Sequence, residues 1–199
     1  MLKRPAEKKQ NSSAIKNKII PMLGAYHEYF LSVIHLLLKH DSEETIEKRK
    51  IVERVFRKLP DWFYDIRFDI AIHVGRRYFI IKLDQLGEVL FSIHHLARSS
   101  FEDDFLEKMT APILGCANKV SLFFAALITV LERKELKEGV DDFSEEIEQL
   151  EKNFHEILLS KNEFLDTSKD YVYFAEFICE LKELRAILLK LAEALRTGS

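Results

Sequence analysis

The sequence predicts an all-α protein, an antiparallel bundle of five to six long helices with no sheet. Hydrophobic residues make up 47% of the 199 positions, which is enough to form a full core. Only six Gly and four Pro are present, too few for a turn-rich β-sandwich or for flexible linkers. Apolar residues recur at alternating steps of four and three, the spacing of one helix face, and no segment alternates as a strand does.

The first two helices follow a short basic segment. Residues 1–13 are predicted to form a basic flexible arm, and residues 14–199 a single helical bundle domain. The first helix runs to about His40, with the apolar stripe Ile19, Leu23, Tyr26, Phe30, Val33 and Leu37. The second helix ends near Pro60, because proline disfavours helical geometry in the residue before it. Its apolar residues are Ile46, Ile51, Val55 and Phe56.

The third and fourth helices meet at Ser99 and Ser100, which end one helix and cap the next. The stripe of the third helix is Phe79, Leu83, Leu86, Leu90, Ile93 and Ala97. The fourth helix is predicted to reach about Lys137, and Gly139 then acts as a stop signal.

The fifth and sixth helices are separated by a short break at residues 166–170. The fifth carries Ile147, Leu150, Phe154 and Ile157. The sixth has the most regular stripe in the chain, formed by Phe174, Phe177, Leu181, Leu184, Leu188, Leu191 and Leu195. Short loops make neighbours in sequence neighbours in space, which predicts the antiparallel bundle.

The most apolar stretch, Val120–Leu131, lies within the fourth helix. Its 12 residues are too few to cross a bilayer, since spanning needs about 20. The prediction is therefore a fully buried central helix of the bundle, in a polypeptide that does not cross a membrane.

The residue types used in catalysis and metal binding lack the necessary spacing. Cys116 and Cys179 are far apart, which excludes a disulfide scaffold and favours a reducing compartment. None of the seven His belongs to a Glu-x-x-His repeat, and the adjacent His94 and His95 diverge by about 100° on a helix. We predict no catalytic residue, metal or cofactor, and a protein that is not an enzyme. The net charge of −3 predicts no binding of nucleic acid.

Residues 60–75 break the helical pattern and contain the single Trp. Arginine beside aromatic rings suits a carboxylate or an aromatic anion. Such residues also serve to pin an irregular connection to a core, and the sequence leaves both interpretations open. This ligand or packing cluster consists of Trp62, Tyr64, Arg67, Phe68, Arg76 and Arg77.

The sixth helix carries apolar residues outside its main stripe, so its apolar arc is wider than the roughly 100° that one face of a bundle needs. We predict that the surplus, which includes Ile178, Ile187 and Leu189, packs on a second copy or on a partner protein. The alternative is a central helix surrounded by its own neighbours.

The N-terminal segment suggests contact with a membrane surface. Residues 1–20 contain six Lys or Arg residues against one Glu. Clusters of this kind are attracted to anionic lipid by about 1 kcal/mol per charge. A solvated tail is the alternative interpretation.

Residues 59–98 contain an aromatic opening, with Pro60, Trp62, Tyr64 and Phe68, followed by Gly75-Arg76-Arg77. A leucine-rich helix comes next, with Gln85, Glu88 and the run His95-Leu96-Ala97-Arg98. In these features the segment resembles the soluble helical region of the bacterial fusaric-acid-resistance-like (FUSC) inner-membrane proteins, which include aromatic acid exporters. The helical context extends the resemblance to about residues 20–196.

This resemblance implies a non-enzymatic cytoplasmic helical domain at the inner face of a bacterial inner membrane. Such a domain would act in the assembly or regulation of a transport or efflux protein. The chain departs from the family in having no hydrophobic spanning block. The alternative is a free-standing soluble helical adaptor that binds a partner protein.

Overall fold

The computed structural model describes residues 5–38, 42–59, 61, 74–99, 101, 103–133, 144–160 and 169–197. Within these ranges the secondary-structure elements are six long α-helices, and there is no strand, so the predicted all-α fold is confirmed. The helices are α1 (Pro5–Leu37), α2 (Ser42–Phe56), α3 (Val74–Ala97), α4 (Asp103–Arg133), α5 (Ser144–Ser160) and α6 (Lys169–Thr197).

The first helix begins inside the segment predicted to be a flexible arm. Pro5 occupies the first position of α1, where its missing N–H group is not needed and its fixed backbone angle suits a helix. The next residues, Ala6 to Gln10, are strong helix formers. The predicted boundary between arm and domain at residue 13 therefore lies within α1.

The predicted stripes of α1 and α3 face the core along their full length. Each of the six stripe residues in both helices is buried. In α2 the structure instead leaves Ile46 and Ile51 exposed, and the buried side chains are those of Thr45 and Val52. This helix packs mainly on α1 and only slightly on α3, so it has a single covered face.

Three helices meet at an aromatic cluster formed by Phe101, Phe105, Phe154, Phe174 and Phe177. The rings of Phe105 and Phe174 pack edge to face with centroids 4.9 Å apart. Phe154 of α5 lies 5.3 Å from Phe174, which joins α4, α5 and α6 at one point. Edge-to-face aromatic pairs stabilise a core beyond the area that they bury.

The structure reverses the roles predicted for α4 and α6. At 100° per residue, the buried positions of α4 span about 120° and those of α6 about 180°. Leu122, within the stretch predicted to be fully buried, is 65% exposed. Ile178 and Ile187, predicted to lie at an interface, are buried within the chain, and Leu189 is half-buried against the core. The wide apolar arc of α6 is explained by its contacts with α3, α4 and α5.

A close approach of three helices occurs at Gly87 of α3. A Cβ atom placed there would lie 2.7 Å from two ring carbons of Phe56 and 2.8 Å from the Tyr26 hydroxyl oxygen. These distances are shorter than atomic contact allows, so the absence of a side chain lets α1, α2 and α3 come together.

We expect Gly87→Ala to lower the free energy of unfolding by about 1 kcal/mol, because overpacking exceeds the helix propensity that alanine adds. Gly24→Ala is the matched control, since nothing lies within 4 Å of its Cβ position. That control should raise stability by up to about 1 kcal/mol. Urea denaturation measures both changes, and equal effects at the two positions would contradict the close approach.

Candidate functional site

Most of the residues predicted to form a ligand or packing cluster are not among those that the structure describes. Trp62, Tyr64, Arg67 and Phe68 lie outside the described residues. Arg76 and Arg77 are in the first turn of α3, and their side chains are not among those described. This cluster therefore stays a prediction.

One side of α4 is exposed and mostly apolar, and we call it the open face. It consists of Ala111, Leu114, Gly115, Asn118, Leu122 and Ala125. These residues occupy an arc of about 100° opposite the buried positions of the same helix. The helix packs on α1, α5 and α6 through its other side, which is why this face is uncovered.

The open face has no charged residue along most of the helix. Between Lys108 and Glu132 the sole ionisable residues are Cys116, which is buried, and Lys119. Lys119 is turned towards α5, where its Nζ lies 3.5 Å from Glu146 Oε1. At 1.5 Å per residue, the uncharged face extends over about 35 Å.

By length and composition, α4 is also the one described helix that could span a membrane. The segment Asp103–Glu132 meets both criteria, and 39% of its most apolar window is buried inside the chain. The core helix of a soluble protein meets the same criteria. The apolar segment is longer than the 12 residues of Val120–Leu131, because apolar residues continue towards the N-terminus of α4.

A polar pair lies buried between α1 and α3. The hydroxyl oxygen of Tyr29 and Nδ1 of His94 are 2.5 Å apart. His94 is only 3% exposed. Burial, together with the positive charges of Arg49, Arg98 and His95, lowers the pKa of His94 to about 4. The imidazole is therefore neutral at pH 7, while burial raises the pKa of Tyr29.

An open cleft lies beside this pair, between α2, the end of α3 and the start of α6. Its volume is about 1000 Å³, and a second cavity of about 510 Å³ adjoins it. Arg49 and Arg98 line both cavities, so we treat the two as one site and call it the arginine cleft. The apolar wall of the larger cavity is formed by Phe91, Leu96 and Tyr173.

Hydrogen bonds and an ion pair hold some of the polar groups around the arginine cleft. Arg49 Nε donates to Glu53 Oε1 at 2.8 Å, and the guanidinium carbon lies 5.6 Å from the centre of the Phe91 ring. Ser92 Oγ donates to Glu180 Oε1 at 2.7 Å. No carboxylate of the described residues forms an ion pair with Arg98, which is exposed at the end of α3.

The described side chains include no group of three or more His, Cys, Asp or Glu that could hold a metal ion. His94 and His95 point to different surroundings, one buried and one exposed, as expected for adjacent helical residues. Cys116 is buried in α4, and this burial raises the pKa of its thiol to about 12. Its thiol is therefore unreactive as a nucleophile at pH 7.

Comparisons of the chain with protein-family models, with curated proteins and with solved structures give no match. The resemblance of residues 59–98 to the FUSC proteins therefore stays a prediction. The class of protein defined by fold and surface is an all-α protein whose described residues form six long helices, with an open apolar face on α4 and an arginine cleft beside α3.

Sequence reasoning did not identify either surface. Arg49 and Arg98 are separated by a whole helix and its connections, and nothing near them in the chain relates one to the other. The sequence gives one weak indication of the open face of α4, because Ala111, Gly115 and Ala125 are small residues on the same side of the helix. Since Leu122 is as hydrophobic as the buried residues around it, the apolar stretch Val120–Leu131 was predicted to be fully buried.

Proposed function

We propose that this chain is a non-enzymatic helical domain that assembles with a second copy of itself through the open face of α4. The observation that carries the proposal is this uncharged face, in which Leu122 is 65% exposed. Exposed contiguous apolar surface of this kind is typical of interaction sites. The absence of charge over about 35 Å distinguishes it from an ordinary solvated helix face.

The glycine in this face supports close contact with another helix. Gly115 is exposed, and nothing lies within 4 Å of the position that its Cβ would occupy. Glycine inside a helix is about 1 kcal/mol less favourable than alanine. Packing among the described residues gives no reason for this glycine, whereas a second helix approaching the backbone would benefit from it.

The open face is complementary to itself. Four of its residues stand at positions i, i+3, i+4 and i+7, the arrangement that receives a side chain from a facing helix: Ala111, Leu114, Gly115 and Asn118. Leu122 of a second copy fits this hole when the two helices run antiparallel about a two-fold axis at Asn118. Both Leu122 side chains are then accommodated at once, as a two-fold interface requires.

The size of the face predicts a weak dimer. The open face, from Ala111 to Ala125, is about 21 Å long and one helix diameter wide, so it covers roughly 200 Å², whereas stable complexes bury about 800 Å² per partner. Residues of the flanking helices would add to the contact. We therefore expect a dimer that dissociates on dilution.

We propose further that the assembly works at the inner face of a bacterial inner membrane, as part of a FUSC-type transport or efflux protein. The support is the resemblance of residues 59–98, together with the basic segment at residues 1–20. A free-standing adaptor that binds a different protein is the alternative. Fractionation of cells that express the native gene separates the two, since the first requires the chain in the inner-membrane fraction.

Leu122→Glu is expected to abolish self-association without loss of folding, because a buried interfacial charge is costly whereas an exposed one is not. Sedimentation velocity over a concentration series should show the wild type approaching twice 23.4 kDa and the variant staying at 23.4 kDa. Circular dichroism checks that the variant is folded.

Ile51→Glu is the matched control, since Ile51 is an exposed apolar residue on α2, a helix that packs on α1 and α3. It should leave the association unchanged. A wild type that is monomeric at every concentration would overturn the proposal. So would a Leu122→Glu variant that dimerises as the wild type does.

A further inference from the structure

The arginine cleft has the charge distribution of an anion site. Arg49, Lys50 and Arg98 supply three positive charges along its two cavities. The carboxylates that line it are Glu53, which is bonded to Arg49, and Glu176 at the edge of the larger cavity. The balance among the described lining residues is therefore positive.

Arg49 and Arg98 could both bind a ligand, but their surroundings differ. The bond from Nε to Glu53 and the contact with the Phe91 ring fix the side chain of Arg49, and its terminal amino groups are not used in that bond. Arg98 has no ion pair with any described carboxylate, so none of the described acidic side chains has to be displaced from it. Guanidinium groups bind carboxylates and phosphates with two parallel hydrogen bonds.

The lowered pKa of His94 agrees with a positive potential at the arginine cleft. After burial, the charges of Arg49 and Arg98 are the next causes that lower the pKa of His94. The charge of Glu53 acts in the opposite direction and raises the pKa, but it ranks below both arginines among the causes. The electrostatics thus agree with the geometry of the cleft.

The cleft also has room and an apolar wall for more than an inorganic ion. Ligand sites in proteins measure roughly 300–1,000 Å³ and combine apolar surface with a few polar groups. The larger cavity, of about 1000 Å³, reaches this size. Phe91 and Tyr173 provide aromatic surface next to the arginines.

We propose that the arginine cleft binds a small organic anion. Its carboxylate or phosphate group is held by Arg49 and Arg98, and its apolar part lies against Phe91 and Tyr173. This inference is independent of the proposed dimer, because no residue of the open face lines the cleft. Either proposal can therefore fail without the other.

Isothermal titration calorimetry with phenyl phosphate, inorganic phosphate and phenol tests the proposal. Phenyl phosphate should bind more tightly than inorganic phosphate, because the ring adds contact with the apolar wall. Phenol should bind most weakly, because it lacks the anionic group. Absence of phenyl phosphate binding, or equal affinity for phenol, would overturn the proposal.

Arg98→Gln should weaken phenyl phosphate binding by about 10- to 100-fold, the range for loss of a charge-assisted hydrogen bond. Arg54→Gln is the matched control, because Arg54 is exposed on α2 and lines neither cavity. It should bind as the wild type does, and thermal unfolding confirms that both variants are folded. Equal affinity of wild type and Arg98→Gln would contradict the assignment.

Discussion

Replacing Phe174 by alanine is expected to lower the free energy of unfolding by about 3–5 kcal/mol. Phe174 is fully buried, and the rings of Phe101, Phe105, Phe154 and Phe177 all lie with centroids within 6 Å of its own. Alanine would leave a cavity at the junction of α4, α5 and α6, where rigid rings on every side prevent collapse. Because a domain is stable by only about 5–15 kcal/mol, the variant should be marginally folded.

Val172→Ala, two residues earlier on the same helix, is the control for this substitution. Val172 is largely exposed, so the change should be within about 0.5 kcal/mol. Phe174→Leu keeps much of the volume and should lose less than the alanine variant. A loss below about 1 kcal/mol in urea denaturation of Phe174→Ala would show that the aromatic cluster is not the centre of the core.

The stability of the protein is expected to fall on acidification because of His94. The pKa of His94 is about 4 in the folded chain and about 6.5 in an unfolded one. Between these values the unfolded chain binds a proton that the folded chain does not, so the free energy of unfolding decreases as the pH falls from about 6.5 to 4. Above about pH 7 both forms are neutral, and His94 causes no pH dependence.

The full shift would correspond to about 3 kcal/mol, but the cleft beside His94 is open to water. Screening reduces the effect, and we expect about 1–2 kcal/mol. Charged and titratable groups on three sides take part: Arg49 and Glu53 on α2, His95 and Arg98 on α3, and Tyr29 on α1. Comparing urea denaturation at pH 7 and pH 4.5 for the wild type and His94→Gln isolates the contribution of His94.

His155→Gln is the control for the acid effect, since His155 is exposed on α5 and far along the chain from the Tyr29–His94 pair. Its pH dependence should match that of the wild type, whereas His94→Gln should lose less stability on acidification. An NMR titration measures the pKa of His94 directly. A value near 6.5 would contradict the buried neutral state.

The periodicity of apolar residues was sufficient to predict the helices and most of the core. The stripes on α1 and α3 are buried as predicted, because a helix with a single apolar face can satisfy it only by turning that face inwards. The departures are at the ends of the helices, in α2, where Ile46 and Ile51 are exposed, and in α4, where Leu122 is exposed. Periodicity identifies a helix, but it does not report how many neighbours the helix has.

Both candidate sites depend on contacts between distant parts of the chain. Tyr29 and His94 are 65 residues apart, and Arg49 meets Arg98 only because α2 and α3 both pack on α1. The residues next to each arginine in the sequence do not indicate that Arg49 and Arg98 line the same cleft, since each one alone resembles any solvated helix residue. The positive potential of the cleft, and the lowered pKa of His94, exist only once the helices are packed.

The sequence by itself determined that this protein is all-helical, which helices form and which side of most of them faces inwards. The tertiary structure decided which helix is enclosed and which is left open. Both α4 and α6 have broad apolar arcs, and hydrophobic burial alone does not choose between them. Each helix packs on three neighbours, but the buried positions cover about half of the circumference of α6 and about a third of that of α4, so Leu114 and Leu122 stay exposed.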